Sequence, residues 1–351
     1  MKRLVVAGLT TAVVLLALTP ACGKKSSPTQ PPAETDTSKV YVVGNYRVGS
    51  NWYAGYWRDT VLTLLPGSGL YYVEARGMAV SGGAVYIGGI YSNGTLMVPC
   101  YWRDTLRQDL PGGGADCYVN AIVTDQGTVY CGGYRTGSCD APYYWTGTAP
   151  TILPFDSTSE NAGVNAIAVS NASVFCGGTF SQGTATFACC WRGGGRHRMD
   201  SDTSSASYVT SAATDGGVVY YGGYYSINGQ YRACYWTDSL RTDLPGMAGH
   251  DACVNAIAAS GGVVYCGGYV SDGIKKIPCY WAGTARHDLP GGSGASNVVN
   301  GLAVHKGIVY CAGWIEDGSK RRPCYWKGGA RQDLPMDAAA TIGYAKGIAV
   351  Q

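Results

Sequence analysis

A Trp preceded by Tyr or Cys recurs seven times, at intervals of 43 to 46 residues, and turn signals cut each unit into four short runs. These observations predict an all-β fold: a seven-bladed β-propeller of four-stranded blades. The markers are Tyr56-Trp57, Tyr101-Trp102, Tyr144-Trp145, Cys190-Trp191, Tyr235-Trp236, Tyr280-Trp281 and Tyr325-Trp326. In the sixth unit, VNAIAASGGVVYCGGYVSDGIKKIPCYWAGTARHDLPGG, the turns Gly261-Gly262, Asp272-Gly273, Ala282-Gly283 and Pro290-Gly291 separate runs rich in Val, Ile, Tyr and Trp. No run reaches the roughly 10–12 residues a helix needs, which excludes a solenoid of helical pairs.

The first strand of a unit is the VNAIAV-type run, placed nearest the axis. The second is the VVYCGGY-type run. Its double Gly recurs as Gly88-Gly89, Gly132-Gly133, Gly177-Gly178, Gly222-Gly223 and Gly267-Gly268, as close backbone approach between crowded blades requires. The third strand ends in Tyr-Trp, and the fourth, outermost, is the RxDLP run. This arrangement resembles the Kelch repeat, which has a Gly-Gly after its second strand and aromatic residues in its third. Here Tyr and Trp are fused into one dipeptide. The resemblance covers Lys39 to Gln351 and implies architecture alone, because Kelch proteins share no single activity.

The chain ends are complementary. Val40-Tyr41-Val42-Val43-Gly44 matches the second strand of a unit, and Lys346-Gly347-Ile348-Ala349-Val350 matches the first. Each end is a partial blade, so the C-terminal first-type strand is expected to pair with the N-terminal second-type strand and close a ring. Left apart, both would expose unpaired edges.

Composition agrees. Gly, at 52 of 351 residues, is about twice its average usage of ~7%, and charged residues, at 14%, are about half theirs of ~25%. With 27 Tyr and 9 Trp against 4 Phe, the aromatic palette is that of strands. A coiled coil, a disordered chain, collagen and a polytopic membrane protein are excluded. A net charge of +3 with no basic block gives no electrostatic case for a nucleic-acid partner.

Residues 1–21 read as an export signal: a basic Met1-Lys2-Arg3, then an apolar Leu4–Leu18 too short to span a bilayer comfortably. Leu18-Thr19-Pro20-Ala21-Cys22 resembles the lipobox of bacterial lipoproteins. That resemblance implies acylation of Cys22 and a membrane partner through an N-terminal lipid anchor. Gly23 after Cys22, where sorting signals place Asp, implies the outer membrane. The rest of 22–38, GKKSSPTQPPAETDTS, is a polar tether that spans at most ~55 Å. The propeller occupies 39–351.

Thirteen cysteines remain besides Cys22, with no C-x-x-C pair and hence no haem or zinc-ribbon spacing. In an exported chain they read as disulfides. Cys176–Cys189, Cys266–Cys279 and Cys311–Cys324 lie symmetrically about two-residue turns, which would place each pair directly opposite on second and third strands. Where Ile87 and Tyr221 replace the second-strand Cys, an extra Cys suggests Cys100–Cys117 and Cys234–Cys253. Cys131–Cys139 completes six, leaving Cys190 odd, or Cys189 if the pairing shifts. Buried free thiols are the alternative.

Arg76, Asn120, Asn165, Thr210, Asn255, Asn300 and Lys346 share one position in the first strand. They are expected to ring a mouth of the central channel, either as a polar ligand site or as side chains satisfying backbone groups. Arg76 and Lys346, brought together by ring closure, are the best candidates to meet an anion. The Arg-x-Asp pairs Arg107/Asp109, Arg241/Asp243, Arg286/Asp288 and Arg331/Asp333 sit on the outer strand and read as edge protection. His197, His250, His287 and His305 occupy unrelated repeat positions, so no metal and no cofactor are expected. The stretch Arg192–Ser207, with Asp200 and Asp202, loses the DLP motif and is a functional or a drifted loop. Tyr224-Tyr225 in a hairpin could stack sugars.

With no catalytic constellation in sight, the expected function is a non-enzymatic, lipid-anchored envelope module that binds a protein or glycan. The alternatives are a structural component of the envelope or an extracellular polymer, and a propeller-type glycan hydrolase or lyase. The last would need clustered carboxylates at the channel mouth.

Overall fold

The computed structural model describes residues 37–69, 72–200 and 206–351. The expected signal segment, Cys22 and nearly all of the tether lie outside the described residues. Ser38–Gln351 forms one compact unit, and every regular element described in it is a β-strand.

Strands follow the repeat. The first three are β1 (Val40–Val48), β2 (Asn51–Arg58) and β3 (Val61–Leu64). Each later unit then supplies four. These are β4 (Val73–Ser81), β5 (Ala84–Ser92), β6 (Met97–Arg103) and β7 (Leu106–Asp109), then β8 (Cys117–Asp125), β9 (Thr128–Arg135), β10 (Ala141–Thr146) and β11 (Ala149–Ile152). Next come β12 (Glu160–Ser170), β13 (Ser173–Gln182), β14 (Ala185–Arg192) and β15 (Gly195–Arg198). They are followed by β16 (Ser207–Asp215), β17 (Val218–Ile227), β18 (Gln230–Thr237) and β19 (Leu240–Asp243). The last full units are β20 (Ala252–Ser260), β21 (Val263–Ser271), β22 (Lys276–Ala282), β23 (Ala285–Asp288), and β24 (Asn297–His305), β25 (Ile308–Asp317), β26 (Lys320–Lys327), β27 (Ala330–Asp333). A final β28 (Ile342–Val350) ends the chain.

Five of these units are separate four-stranded antiparallel sheets. Where seven four-stranded blades were expected, six sheets are described. The β24–β27 unit and the strands β28, β1, β2 and β3 form one eight-stranded sheet. The join is slight: one parallel bridge, Arg321 with Ile342, and one hydrogen bond from Arg321 N to Thr341 O of 3.0 Å. Within that sheet β28 and β1 pair antiparallel from Val40–Val350 to Arg47–Ile342. The first-type strands touch in sequence from β4 to β28, and β28 also touches β4.

The core lies between sheets. All seven marker Trp side chains are at most 2% exposed. Most are fixed across the boundary between units, by Nε1 donating to the carbonyl of the Pro that follows the preceding unit's fourth strand. Trp145 bonds Pro111 O (3.1 Å), Trp281 Pro245 O (3.0 Å), Trp326 Pro290 O (3.0 Å) and Trp57 Pro335 O (2.6 Å). The paired Tyr packs into the cluster that holds the second strand of the next unit: Tyr101 with Cys131, Tyr144 with Cys176, Tyr235 with Cys266, Tyr280 with Cys311 and Tyr325 with Val42. The Tyr-Trp dipeptide thus faces both neighbours at once, which is why it marks six of the seven units.

Candidate functional site

The seven residues expected to ring the channel share a backbone feature. In β4 the register shifts between Ala75 and Gly77, leaving Arg76 as the extra residue. Asn120, Asn165, Thr210, Asn255 and Asn300 are left over in the same way in β8, β12, β16, β20 and β24. Lys346 falls in the gap where β28 passes from Ala345 to Gly347 against β1. A β-bulge bends its strand and re-aims the extra side chain. Here it turns all seven into one cavity of about 210 Å³.

The bulge also explains the double Gly. A β-carbon on Gly133 would strike the carbonyl oxygen of Tyr118, two residues before Asn120, and one on Gly132 would meet Val164 Cγ1 of the next sheet at 2.7 Å. The first Gly admits the neighbouring sheet, and the second admits the bulged strand of its own.

Most ring side chains link adjacent inner strands. Nδ2 of Asn120 donates to Val164 O (2.8 Å), Nδ2 of Asn165 to Val209 O (3.0 Å), and Thr210 Oγ1 to Val254 O (2.9 Å). Nδ2 of Asn255 donates to Val299 O (2.8 Å) and Nδ2 of Asn300 to Ala345 O (2.9 Å). Each acceptor is the residue just before the next ring member. The backbone-satisfying role expected of these residues is therefore present.

The pattern changes at two members. Arg76 Nη1 donates to Asn120 Oδ1 (2.6 Å) and Nη2 to Glu74 Oε2 (3.0 Å). The carbonyl that Lys346 would bond, Ala75 O, is taken by Asn45 of β1, which accepts from Ala75 N as well (both 2.8 Å). Lys346 keeps its ammonium for the cavity, over the Tyr344 ring at 5.4 Å. Burial lowers its pKa below that of an ordinary lysine; Glu74 pulls it up and Arg76 pushes it down. The cavity lining contains no carboxylate. Glu74 and Asn45 were not found by sequence reasoning, because each occupies its repeat position with that residue type once.

The disulfide expectations are corrected. All thirteen described cysteines are unbridged. The hairpin turns sit one residue further along than symmetry suggested: Ser271 pairs with Lys276, Asp317 with Lys320 and Gln182 with Ala185. Pairing therefore slides by two residues. Cys266, Cys311 and Cys176 oppose Trp281, Trp326 and Trp191, while Cys279, Cys324 and Cys189 oppose Gly268, Gly313 and Gly178. For Cys100–Cys117, Cys100 Sγ points to Gly89 O (3.8 Å) and Cys117 Sγ to Gly112 O (3.3 Å). For Cys234–Cys253, Cys253 Sγ instead meets Tyr269 Oη at 3.2 Å. For Cys131–Cys139, Cys131 is buried opposite Trp145 and Cys139 lies in the half-exposed loop before β10. Cys190 is not an unmatched partner. It holds the Tyr position of its unit and packs against Tyr221, which holds the Cys position of the next, so that aromatic and thiol have changed places.

The remaining candidates resolve into structure. In each Arg-x-Asp pair the Arg bonds the Asp two residues on, at 2.8–3.0 Å. Arg107 and Arg241 also lie 3.7 Å over Tyr91 and Tyr225. Tyr225 is buried beneath that guanidinium, so the Tyr224-Tyr225 hairpin offers no free pair of rings. Asp200, buried, replaces the missing Pro: it accepts from Trp236 Nε1 (3.2 Å) and Arg241 Nη1 (3.1 Å). Asp202 lies outside the described residues. His197 is on β15, His250 in a loop, His287 on β23 against Tyr280, and His305 at the end of β24. Among the described residues, no group of three His, Cys, Asp or Glu is placed to hold a metal ion.

Bulged inner strands around a polar cavity, with sheets packed face to face about it, define a β-propeller. The β-propeller domain of the trilobed protease from Pyrococcus furiosus, described as an open velcro topology, has the same fold. It superposes with a TM-score of 0.52 at 12% identity, covering 86% of this chain and 95% of that one. The computationally designed Ika8 protein (TM-score 0.42, 18% identity, 84% and 83% covered) and a chain of a nidogen/laminin complex (0.41, 10%, 89% and 98%) were also found. No family model and no curated protein matches the chain.

Proposed function

We propose that this chain is a non-enzymatic binding module of the bacterial cell envelope, built on a seven-bladed, Kelch-like propeller. The blade count takes the eight-stranded sheet as two blades joined at one bridge, with β28 and β1 closing the ring. Cys22 carries the lipid anchor, and 22–38 lets the propeller reach a protein or polysaccharide partner from the outer membrane.

The observation that supports this most is the cavity. All seven inner strands deliver a polar side chain to it, and its lining has no carboxylate for acid–base work. Ring geometry is spent on holding and presenting polar groups. A polysaccharide array with product analysis tests the reading, alongside cross-linked capture from the native envelope with the anchored protein as bait. Saturable binding without product, or one partner retained through washing, is expected. Turnover of a glycan would replace the reading with a hydrolase or lyase, and self-association by light scattering with no partner would replace it with an assembly component.

A further inference from the structure

Around the cavity, each polar side chain from Asn120 to Asn300 reaches a backbone carbonyl of the next inner strand. At the seam between β28 and β4 that duty passes to Asn45, whose amide satisfies both N–H and C=O of Ala75. Lys346 is released from it. Among the described residues, no carboxylate lies within ion-pair distance of the Lys346 ammonium, and no hydrogen bond from it is seen. Arg76 comes from the next inner strand, and its charge is balanced by Glu74 at 3.0 Å. The seam therefore holds two cations against one anion, within a cavity whose lining has no acidic residue. A half-buried ammonium that shares the nearby Glu74 carboxylate with Arg76, which bonds it directly, is stabilised when a further anionic group joins it.

The neighbouring rings define the shape around that charge. Tyr344 lies under Lys346 and is flanked by Trp52 (6.3 Å, stacked) and Trp314 (5.5 Å, edge-on). Tyr118 lies under Arg76 at 5.3 Å and stacks on Tyr134 at 4.7 Å. These half-exposed rings, beside the two cations and next to but not among the cavity-lining residues, suit a ligand that has both an anionic group and a flat apolar face.

We propose that the seam of the channel binds a carboxylate group, anchored by Lys346 with Arg76 as second donor, and that the carboxylate belongs to an acidic sugar. This rests on the reading of the chain as a binding module and names the ligand chemistry of its cavity. Titration calorimetry with glucuronate, acetate and glucose tests it on the propeller chain. Glucuronate should bind, acetate more weakly, and glucose at least tenfold more weakly than glucuronate. Lys346→Met should weaken glucuronate at least tenfold while keeping the melting temperature, because Lys346 makes no internal hydrogen bond. Lys306→Met, an exposed cation outside the cavity, should change nothing. Acetate binding as well as glucuronate would leave the anion site but remove the sugar. Equal affinity for glucose and glucuronate, no binding of either acid, or full affinity in Lys346→Met would overturn the proposal. Capture of the envelope partner is measured on the same variant. Capture without glucuronate binding sinks only the carboxylate site, whereas loss of all partners in the wild type sinks the binding-module reading itself.

Discussion

At the scale of single residues, the exchange at Cys190 and Tyr221 shows what the buried thiols do. Where a unit places Tyr before its Trp, the next sheet answers with a smaller residue, as Cys131 does for Tyr101. Where Cys190 takes the Tyr place, Tyr221 fills the space from the other side. Tyr221→Cys should therefore cost about 2–5 kcal/mol by opening a cavity. Cys190→Tyr should cost about 1–3 kcal/mol by overpacking. The double variant should recover most of the loss, since the two are in contact. Urea melts of the four proteins measure this, and additive losses would contradict it. Asp156 makes a second residue-scale prediction. Hydrogen bonds from Ser159 and Thr158 hold its carboxyl down at about 2. Its folded-state pKa lies below the ordinary value of 3.8, so its stabilisation is complete above that value and is lost as pH falls toward 2. Asp156→Asn should flatten the decline in stability between those pH values, as read by urea midpoints against pH.

At the scale of strands, what repeats was legible and what depends on a partner was not. The four runs, the inner position of Arg76 through Lys346 and the outer position of the Arg-x-Asp pairs all followed from periodicity. The slide of each hairpin by two residues did not: two of the turns are Gly183-Thr184 and Gly318-Ser319, one residue beyond the expected centres, and the third is the four-residue loop Asp272–Lys275. The second-strand thiols Cys131, Cys176, Cys266 and Cys311 were misread because they share a cluster with the Tyr of the preceding unit, which the spacing of one unit does not show. Asn45 was missed because its role exists only at the seam. The link between Trp and Pro offers an internal control. Trp326 Nε1 bonds Pro290 O at 3.0 Å, whereas Trp102 Nε1 is buried with no partner among the described residues. Trp→Phe removes the same ring volume at both positions. Trp326→Phe should lose about 1 kcal/mol more than Trp102→Phe, since only the first also orphans a carbonyl. Chemical denaturation of both variants checks the difference, and equal losses would show that the bond contributes nothing.

At the scale of the whole molecule, the last strand holds the first in place. β28 pairs with β1 along its length, and Lys39 and Gln351 exchange backbone hydrogen bonds of 2.7 and 3.1 Å beyond it. Trp57 reaches Pro335, Tyr325 packs in one cluster with Val42, and Asn300 bonds Ala345, so side chains tie the same boundary from three positions. Deleting 342–351 would expose the edge of β1, uncover the buried Val40 and Val42 and strip Asn300 of its acceptor. An unpaired apolar edge of this kind invites intermolecular pairing. The truncated chain should lose its single cooperative thermal transition and aggregate. A synthetic peptide of residues 340–351 added during refolding should restore both the transition and the monomer, because the register of β28 is set by β1 and not by chain connectivity. Circular dichroism melts with light scattering measure the two effects. A truncated protein that stays monomeric and melts like the intact chain would mean that the other sheets hold the inner strands together without the seam.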